Sequence, residues 1–192
     1  PQGVISATED GRERTVLDLI REPVRGLFPV GRLDKDTEGL LLLTNDGPLA
    51  HALLSPRKHV DKCYYAVLDG PVGQKEQDAF AAGLDIGDGK PTLPAELVTA
   101  PERQVSAVPL SAKWENVSEQ VGIEKNGVFI TIQEGRFHQV KRMAKAVGRE
   151  VLYLKRISMG SLQLDETLKT GQYRPLTEEE VQNLKREITD RK

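Results

Sequence analysis

The sequence predicts an α+β domain built on a mixed, mostly antiparallel sheet. Strand-like and helix-like runs are interspersed along the chain without strict strand–helix–strand alternation, which argues against a doubly wound parallel sheet. The apolar share is 38%, with 17 glycines, close to the ordinary globular level, so disorder is excluded. A length of 192 residues fits one large domain or two small ones. A chain of this size buries roughly 70% of its unfolded surface and needs no disulfide staples.

The elements follow in order. Thr15 to Ile20 reads as a short helix, with Thr15 and Asp18 forming a capping box in which Asp replaces Glu. Gly39 to Thr44 is short and almost wholly apolar, the pattern of a strand buried on both faces. It ends at the turn signal Asn45-Asp46-Gly47-Pro48, and Asp46 is placed to cap a helix over Leu49 to Leu54. Lys62 to Asp69 carries Tyr64, Tyr65 and Val67 and reads as a strand. Gln74 to Ala82 reads as a helix, Asp85 to Pro94 as a loop or hairpin tip, and Ala95 to Thr99 and Val105 to Lys113 as strands. Val128 to Gln133 alternates and is β-branched, a further strand. In His138 to Val147 the apolar residues Val140, Met143, Ala144 and Val147 recur at helical spacing, and Gly148 closes the helix. Val151 to Met159 is another strand, and Thr177 with Glu180 caps a last helix through about Ile188.

Several chemistries are excluded by pattern. Gly83 to Pro91 contains Gly-Lys, but its glycine spacing is wrong for a P-loop and Pro91 stands where Ser or Thr is needed. Asp85 to Gly89 lacks the oxygen ligands of an EF-hand. His51, His59, His138 and Cys63 lack zinc spacing, and there is no nucleophile elbow. No metal site is expected. The longest pure apolar run is Leu40 to Leu43, so no membrane span is expected. Pro1 to Ile20 is charged throughout and reads as no signal peptide, and Cys63 is the one cysteine; both are compatible with a reducing cytoplasm.

Charge is unevenly distributed. The formal net charge is −2, but Arg136 to Arg156 holds seven basic residues and one acid, a local +6, which leaves −8 on the remainder. Such a segment is either a phosphate-contacting surface or a solvated helix face. Lys155 and Arg156 are adjacent on a strand and face opposite ways, so at most one of them faces a given phosphate-bearing surface.

The most informative stretch is Gly31 to Gly47. It sets Asp34, Asp36 and Glu38 in a polar loop leading into an apolar strand, a position where catalytic groups tend to sit. By residue type alone the three acids remain rivals, and Asp34 paired with Arg32 in a plain turn is the alternative. A paired-carboxylate hydrolase using Asp34 and Glu38 is a second reading. A non-catalytic RNA-binding module docking through its basic helix is a third.

Gly31 to Gly47 resembles the signature motif of the RsuA-type pseudouridine synthases, which modify ribosomal RNA. Glu134-Gly135-Arg136-Phe137-His138-Gln139-Val140-Lys141-Arg142-Met143 is similar to that family's second motif, written E-G-R-Y-H-Q-V-(K/R)-R-M. Lys62-Cys63-Tyr64 resembles its K-x-Y element, and Pro1 to Ser6 the tail of its N-terminal K-P-x-G-V-x-S motif. The Gly160 region and Gly171 to Glu180 resemble its C-terminal end. The resemblance implies the synthase catalytic fold, two α+β halves flanking a central cleft, over residues 1–192. The family usually carries an S4 RNA-binding domain ahead of this one, and any such domain lies outside these residues.

The resemblance also implies the reaction. A uridine loses its N1–C1′ bond, the base turns, and a C5–C1′ bond forms. Asp34 matches the essential aspartate, acting as nucleophile at C1′ or as base at C2′. Tyr64 matches the tyrosine that stacks on the base, and Tyr65 points the other way. Lys141 matches the basic position that pairs with the aspartate and holds it ionised, with Arg142 as rival for that role or else a phosphate contact. Arg32 and Arg136 are implied as RNA-backbone or loop-anchoring residues, Lys145 is grouped with the RNA contacts, and His138 is read as structural. No cofactor is implied. The form of the second motif points to 16S rather than 23S ribosomal RNA, at uridine 516. The partner is then 16S ribosomal RNA or a small-subunit assembly intermediate, met in the cytoplasm by a monomer.

Overall fold

Apolar and β-branched runs form the long strands, and runs with helical periodicity form the helices, in the computed structural model, which describes residues 1–22, 24–100 and 126–190. In chain order the described elements are β1 (Phe28–Pro29), β2 (Glu38–Gly39), β3 (Leu43–Thr44), α1 (Gly47–Leu54), β4 (Lys62–Leu68), α2 (Gln74–Ala82), β5 (Glu96–Thr99), β6 (Gly127–Ile132), α3 (Gln139–Ala146), β7 (Val151–Met159), β8 (Leu162–Gln163) and α4 (Glu178–Asp190). Short 3-10 turns cover Val16–Leu19 and Pro56–Lys58. The strand expected over Val105 to Lys113 lies outside the described residues. The α+β class holds. The chain divides into two units, Pro1–Lys62 with Arg156–Lys192, and Cys63–Lys155.

In the first unit β1 pairs antiparallel with β3, Phe28 opposite Thr44. β2 and β8 both lie on β7, and β8 meets it in this unit, with Met159 opposite Leu162. Asp46 caps α1 as expected, its Oδ1 accepting the Leu49 N–H at 2.9 Å. Thr177 and Glu180 cap α4 reciprocally: Glu180 Oε2 accepts the Thr177 N–H at 2.7 Å, and Thr177 Oγ1 accepts the Glu180 N–H at 3.2 Å. The core of this unit is Val30, Leu42, Leu53, Val60, Met159 and Leu184, with Leu176 and Ile188 packed against it.

Gly39 to Thr44 departs from expectation. It is not one strand buried on both faces. Its ends belong to different ladders, β2 lying on β7 and β3 on β1, and Leu40 to Leu42 cross between them. Gly39 has φ +108° and turns the chain, so of the four leucines only Leu42 is buried.

In the second unit the hydrogen-bonded order is β7-β4-β6-β5. β5 and β6 are antiparallel with Leu97 opposite Ile130, and α2 packs on β5. β6 buries Val128, Ile130 and Ile132 and leaves Phe129 and Thr131 partly exposed, the alternation its sequence predicts. β4 is buried along nearly its whole length, so both its faces are covered. α3 buries Val140, Met143 and Ala144. Among the described residues no helix is long and apolar enough to cross a membrane. Nor do any three His, Cys, Asp or Glu side chains among them group to hold a metal ion.

Candidate active site

The first unit holds Arg32 and Asp34 in a loop fixed through its backbone. Thr37 N–H donates to the Asp34 carbonyl at 2.8 Å, closing a turn. The N-terminal segment then grips the loop on both sides of Asp34. Ahead of it, Ser6 Oγ accepts the Leu33 N–H at 3.0 Å and donates to the Leu33 carbonyl at 3.3 Å. After it, Gly3 N–H donates to the Lys35 carbonyl at 2.7 Å, and the Gln2 side-chain amide donates to the Asp36 carbonyl at 2.9 Å. The gripping segment is itself held, since Ile5 N–H donates to Arg14 O and Val16 N–H to Ile5 O, both at 3.0 Å. Lys35 Nζ adds an exposed ion pair to Glu13 at 2.5 Å.

This geometry separates the three rival acids. Glu38 is buried in β2 with 2% exposure, and Asp36 is exposed. Asp34 is half-buried, between two anchored peptides. Burial thus sets Glu38 apart from Asp34 and Asp36, whose backbones are both held.

The loop leaves through Gly39, packed on the backbone of Arg156. A Cβ at residue 39 would overlap the Arg156 carbonyl oxygen and lie 2.7 Å from its nitrogen. Leu40 N–H donates to Arg156 O, and Arg156 Nε returns a bond to Leu40 O, each at 2.8 Å. Arg156 is 2% exposed and Lys155 is also buried. The limit of at most one of the two at any one surface is met with neither exposed: β7 places both side chains inside the protein.

The second unit holds Tyr64 and Lys141. Both Tyr64 and Tyr65 are buried on β4. Tyr65 is wholly buried, with its ring 5.7 Å from Phe129 and 6.3 Å from Tyr153. Its hydroxyl makes no hydrogen bond, and burial pushes its pKa up to about 12. Gly127 makes room for that hydroxyl, since a Cβ there would lie 2.8 Å from the oxygen. Alternation on the strand turns Tyr64 to the opposite face.

Glu134 to Met143 is dominated by a side-chain network. The buried Glu134 carboxylate accepts the Leu93 N–H at 2.9 Å, the Gln139 amide at 3.0 Å and Arg136 Nε at 3.0 Å. Arg136 also donates to Asp88 Oδ1 at 2.9 Å and to the Lys90 and Pro91 carbonyls at 2.8 and 2.7 Å. Arg142 donates to the Ile86 carbonyl through Nε at 2.9 Å and also through Nη2, and to the Phe137 carbonyl at 3.1 Å. Asp88 lies 3.5 Å from Arg142 Nη1. Arg136 and Arg142 thus both bond to the loop at residues 86–91. A planar guanidinium reaches several carbonyls at once, which suits it to clamping a turn. Arg149 is used in a similar way, donating to the Pro71 carbonyl at 2.9 Å. Of the basic residues between Arg136 and Arg156, Lys141 is half-buried and Lys145 exposed. Ser6, Gln2, Glu134 and Gln139 were not singled out by residue type; only their places in the N-terminal and second motifs marked them.

Comparison with known proteins matches these elements to one family. Residues 1–146 match the RNA pseudouridylate synthase family. An uncharacterised RNA pseudouridine synthase of Bacillus subtilis is 49% identical over 183 residues, covering 94% of this chain and 69% of that protein. The ribosomal small subunit pseudouridine synthases A of Salmonella typhimurium and Escherichia coli are 41% and 40% identical, with the same coverage. A crystal structure of a pseudouridylate synthase superimposes with a TM-score of 0.78 at 36% identity, covering 96% of this chain and 70% of that one. The chain therefore belongs to the RNA pseudouridylate synthase family, as an isomerase of the RsuA type.

Proposed function

We propose that this enzyme converts uridine 516 of 16S ribosomal RNA to pseudouridine. The observation that carries the reading is the double anchoring of the Asp34 loop, which fixes the peptides on both sides of a half-buried aspartate. The small-subunit relatives supply the class of RNA. The reaction is redox-neutral. The N1–C1′ bond breaks, the base turns, C5 bonds to C1′, the C5 proton leaves and N1 regains one. No external oxidant or reductant enters, and activity is expected to survive excess EDTA.

Asp34 acts on the ribose, as nucleophile at C1′ or as base at C2′. Tyr64 stacks on the base. Lys141 supplies the positive charge, a choice supported by the commitment of Arg142 to the Ile86 and Phe137 carbonyls. Arg32 and Lys145, both exposed, contact the RNA backbone. The substrate is free RNA or a small-subunit assembly intermediate, met in the cytoplasm by a monomer.

The test is mass-spectrometric mapping of pseudouridine in ribosomal RNA from a deletion strain carrying wild-type or Asp34→Asn protein. Pseudouridine at 516 is expected with the wild type, and a rate loss on the order of 10³-fold or more with the variant. Restoration of a 23S site instead would replace the target. Full restoration by Asp34→Asn would remove Asp34 from the chemistry.

A further inference from the structure

We infer that the stacked rings of Phe137 and His138 are a platform for an unpaired base of the RNA substrate, a binding element additional to the reacting residues. The inference rests on the reading of this chain as an RNA enzyme.

Phe137 is 76% exposed, the most exposed of the large apolar side chains among the described residues. It is not a loose ring. Its centroid lies 3.8 Å from that of the His138 imidazole, with the planes 16° apart. One face is therefore covered by a parallel ring while most of the side chain meets solvent. A base on the open face would continue the stack.

The backbone that presents the ring is strained and held. His138 has φ +49° and ψ +34°, a left-handed conformation uncommon for residues other than glycine. Such strain persists where the surroundings over-determine it, and it clusters at functional sites. Here Gln139 N–H donates to the Arg136 carbonyl at 3.1 Å, and Arg136 N–H to Gln139 Oε1 at 2.9 Å. Arg142 Nη1 donates to the Phe137 carbonyl at 3.1 Å, and Arg142 N–H to the His138 carbonyl at 3.0 Å. Nothing in the folding of α3 requires a phenyl group at 137, because the stripe that buries the helix begins at Val140.

The surroundings fit RNA better than an apolar protein surface. Lys141 and Lys145 follow four and eight residues later and share a helix face, and Lys145 is exposed. The other exposed large apolar side chains among the described residues, Val24, Leu54, Val98 and Tyr173, lie on other segments of the chain, whereas Phe137 opens the segment that carries the basic helix. An aromatic ring for a base on a segment that also carries an exposed ammonium group, Lys145, for a phosphate is the combination used by single-strand binders.

The experiment compares wild type, Phe137→Ala and Phe137→Tyr on a 16S fragment carrying the target uridine. It reads Kd by fluorescence anisotropy, KM and kcat for pseudouridine formation, and mass by light scattering. For Phe137→Ala, Kd and KM are expected to rise about tenfold with kcat within about twofold and Tm unchanged. Phe137→Tyr should keep wild-type values. Equal Kd and KM in wild type and Phe137→Ala would overturn the platform, as would a loss confined to kcat. A change in mass with RNA affinity intact would overturn it in favour of a protein contact. A wild type that binds the RNA but forms no pseudouridine would sink the proposed function instead, while the Kd comparison still decides the platform.

Discussion

The Arg32–Gly39 loop of the first unit is held through its backbone, whereas the Asp85–Thr92 loop of the second is held by two guanidinium groups. Around Asp34 the partners are a serine hydroxyl, a glutamine amide and a glycine N–H, all acting on the peptides beside the acid. Around Asp88 the clamps are Arg136 and Arg142, which reach across to carbonyls and a carboxylate. A backbone clamp fixes the peptides on either side of Asp34. A guanidinium clamp occupies the cations themselves. A concentrated basic segment can therefore be scaffold as much as RNA surface, which a charge count does not distinguish.

The largest effect is expected where the first clamp closes. Gly39→Ala sets a Cβ against the Arg156 backbone at φ +108°, and should cost on the order of 4 kcal/mol in urea unfolding. A loss below about 1 kcal/mol would show that the loop can leave Arg156 cheaply.

Next come the clamps themselves. Arg136→Met leaves the buried Glu134 carboxylate without its cation and should cost about 3 kcal/mol. Ser6→Ala should cost about 1 kcal/mol. Hydrogen exchange separates the two. Arg136→Met should speed exchange at the Thr92 and Leu93 amides and spare Leu33 and Thr37, and Ser6→Ala should do the reverse while lowering kcat. Exchange that rises in both loops in either variant would break the contrast.

The smallest effect sharpens what a half-buried guanidinium between two carboxylates contributes. Arg174 bonds Glu180 at 2.7 Å and Asp165 at 2.5 Å. The Thr167 hydroxyl, then Arg174, hold Asp165 at about 2. Arg174, then the Thr177 N–H, hold Glu180 at about 2. Both folded-state pKa values are depressed, so the stabilisation is present above about 4.5 and is lost as pH falls toward 2. The Tm gap between wild type and Arg174→Met should be small at pH 6 and close over that window. A gap independent of pH would assign the effect to packing.

Much of the fold was legible because its signals are local. The Asp46 cap, the Thr177–Glu180 box, the alternation in β6 and the apolar stripe of α3 depend on neighbours within four residues. The Gly39–Thr44 run misled because an apolar run reports burial and not which ladder receives it. The two-residue strands β1 and β8 carry too short a pattern to be read. Among the three acids of the Gly31–Gly47 stretch, residue type left the choice open, and the resemblance made it. The anchoring of the peptides around Asp34 could not be read there, because it needed a partner nearly thirty residues away.

By itself the sequence determined most of the longer described elements, the caps of α1 and α4, and the family, because capping, periodicity and ordered motifs are written in residue types and spacings. Only the tertiary structure decided what the charges do. The sum of −2 and the +6 segment are the same in any fold. Whether an arginine meets solvent, a carbonyl or the interior depends on which distant backbone comes beside it. Here that backbone buried Arg156, tied Arg136 and Arg142 to a loop, and left Phe137 in the open.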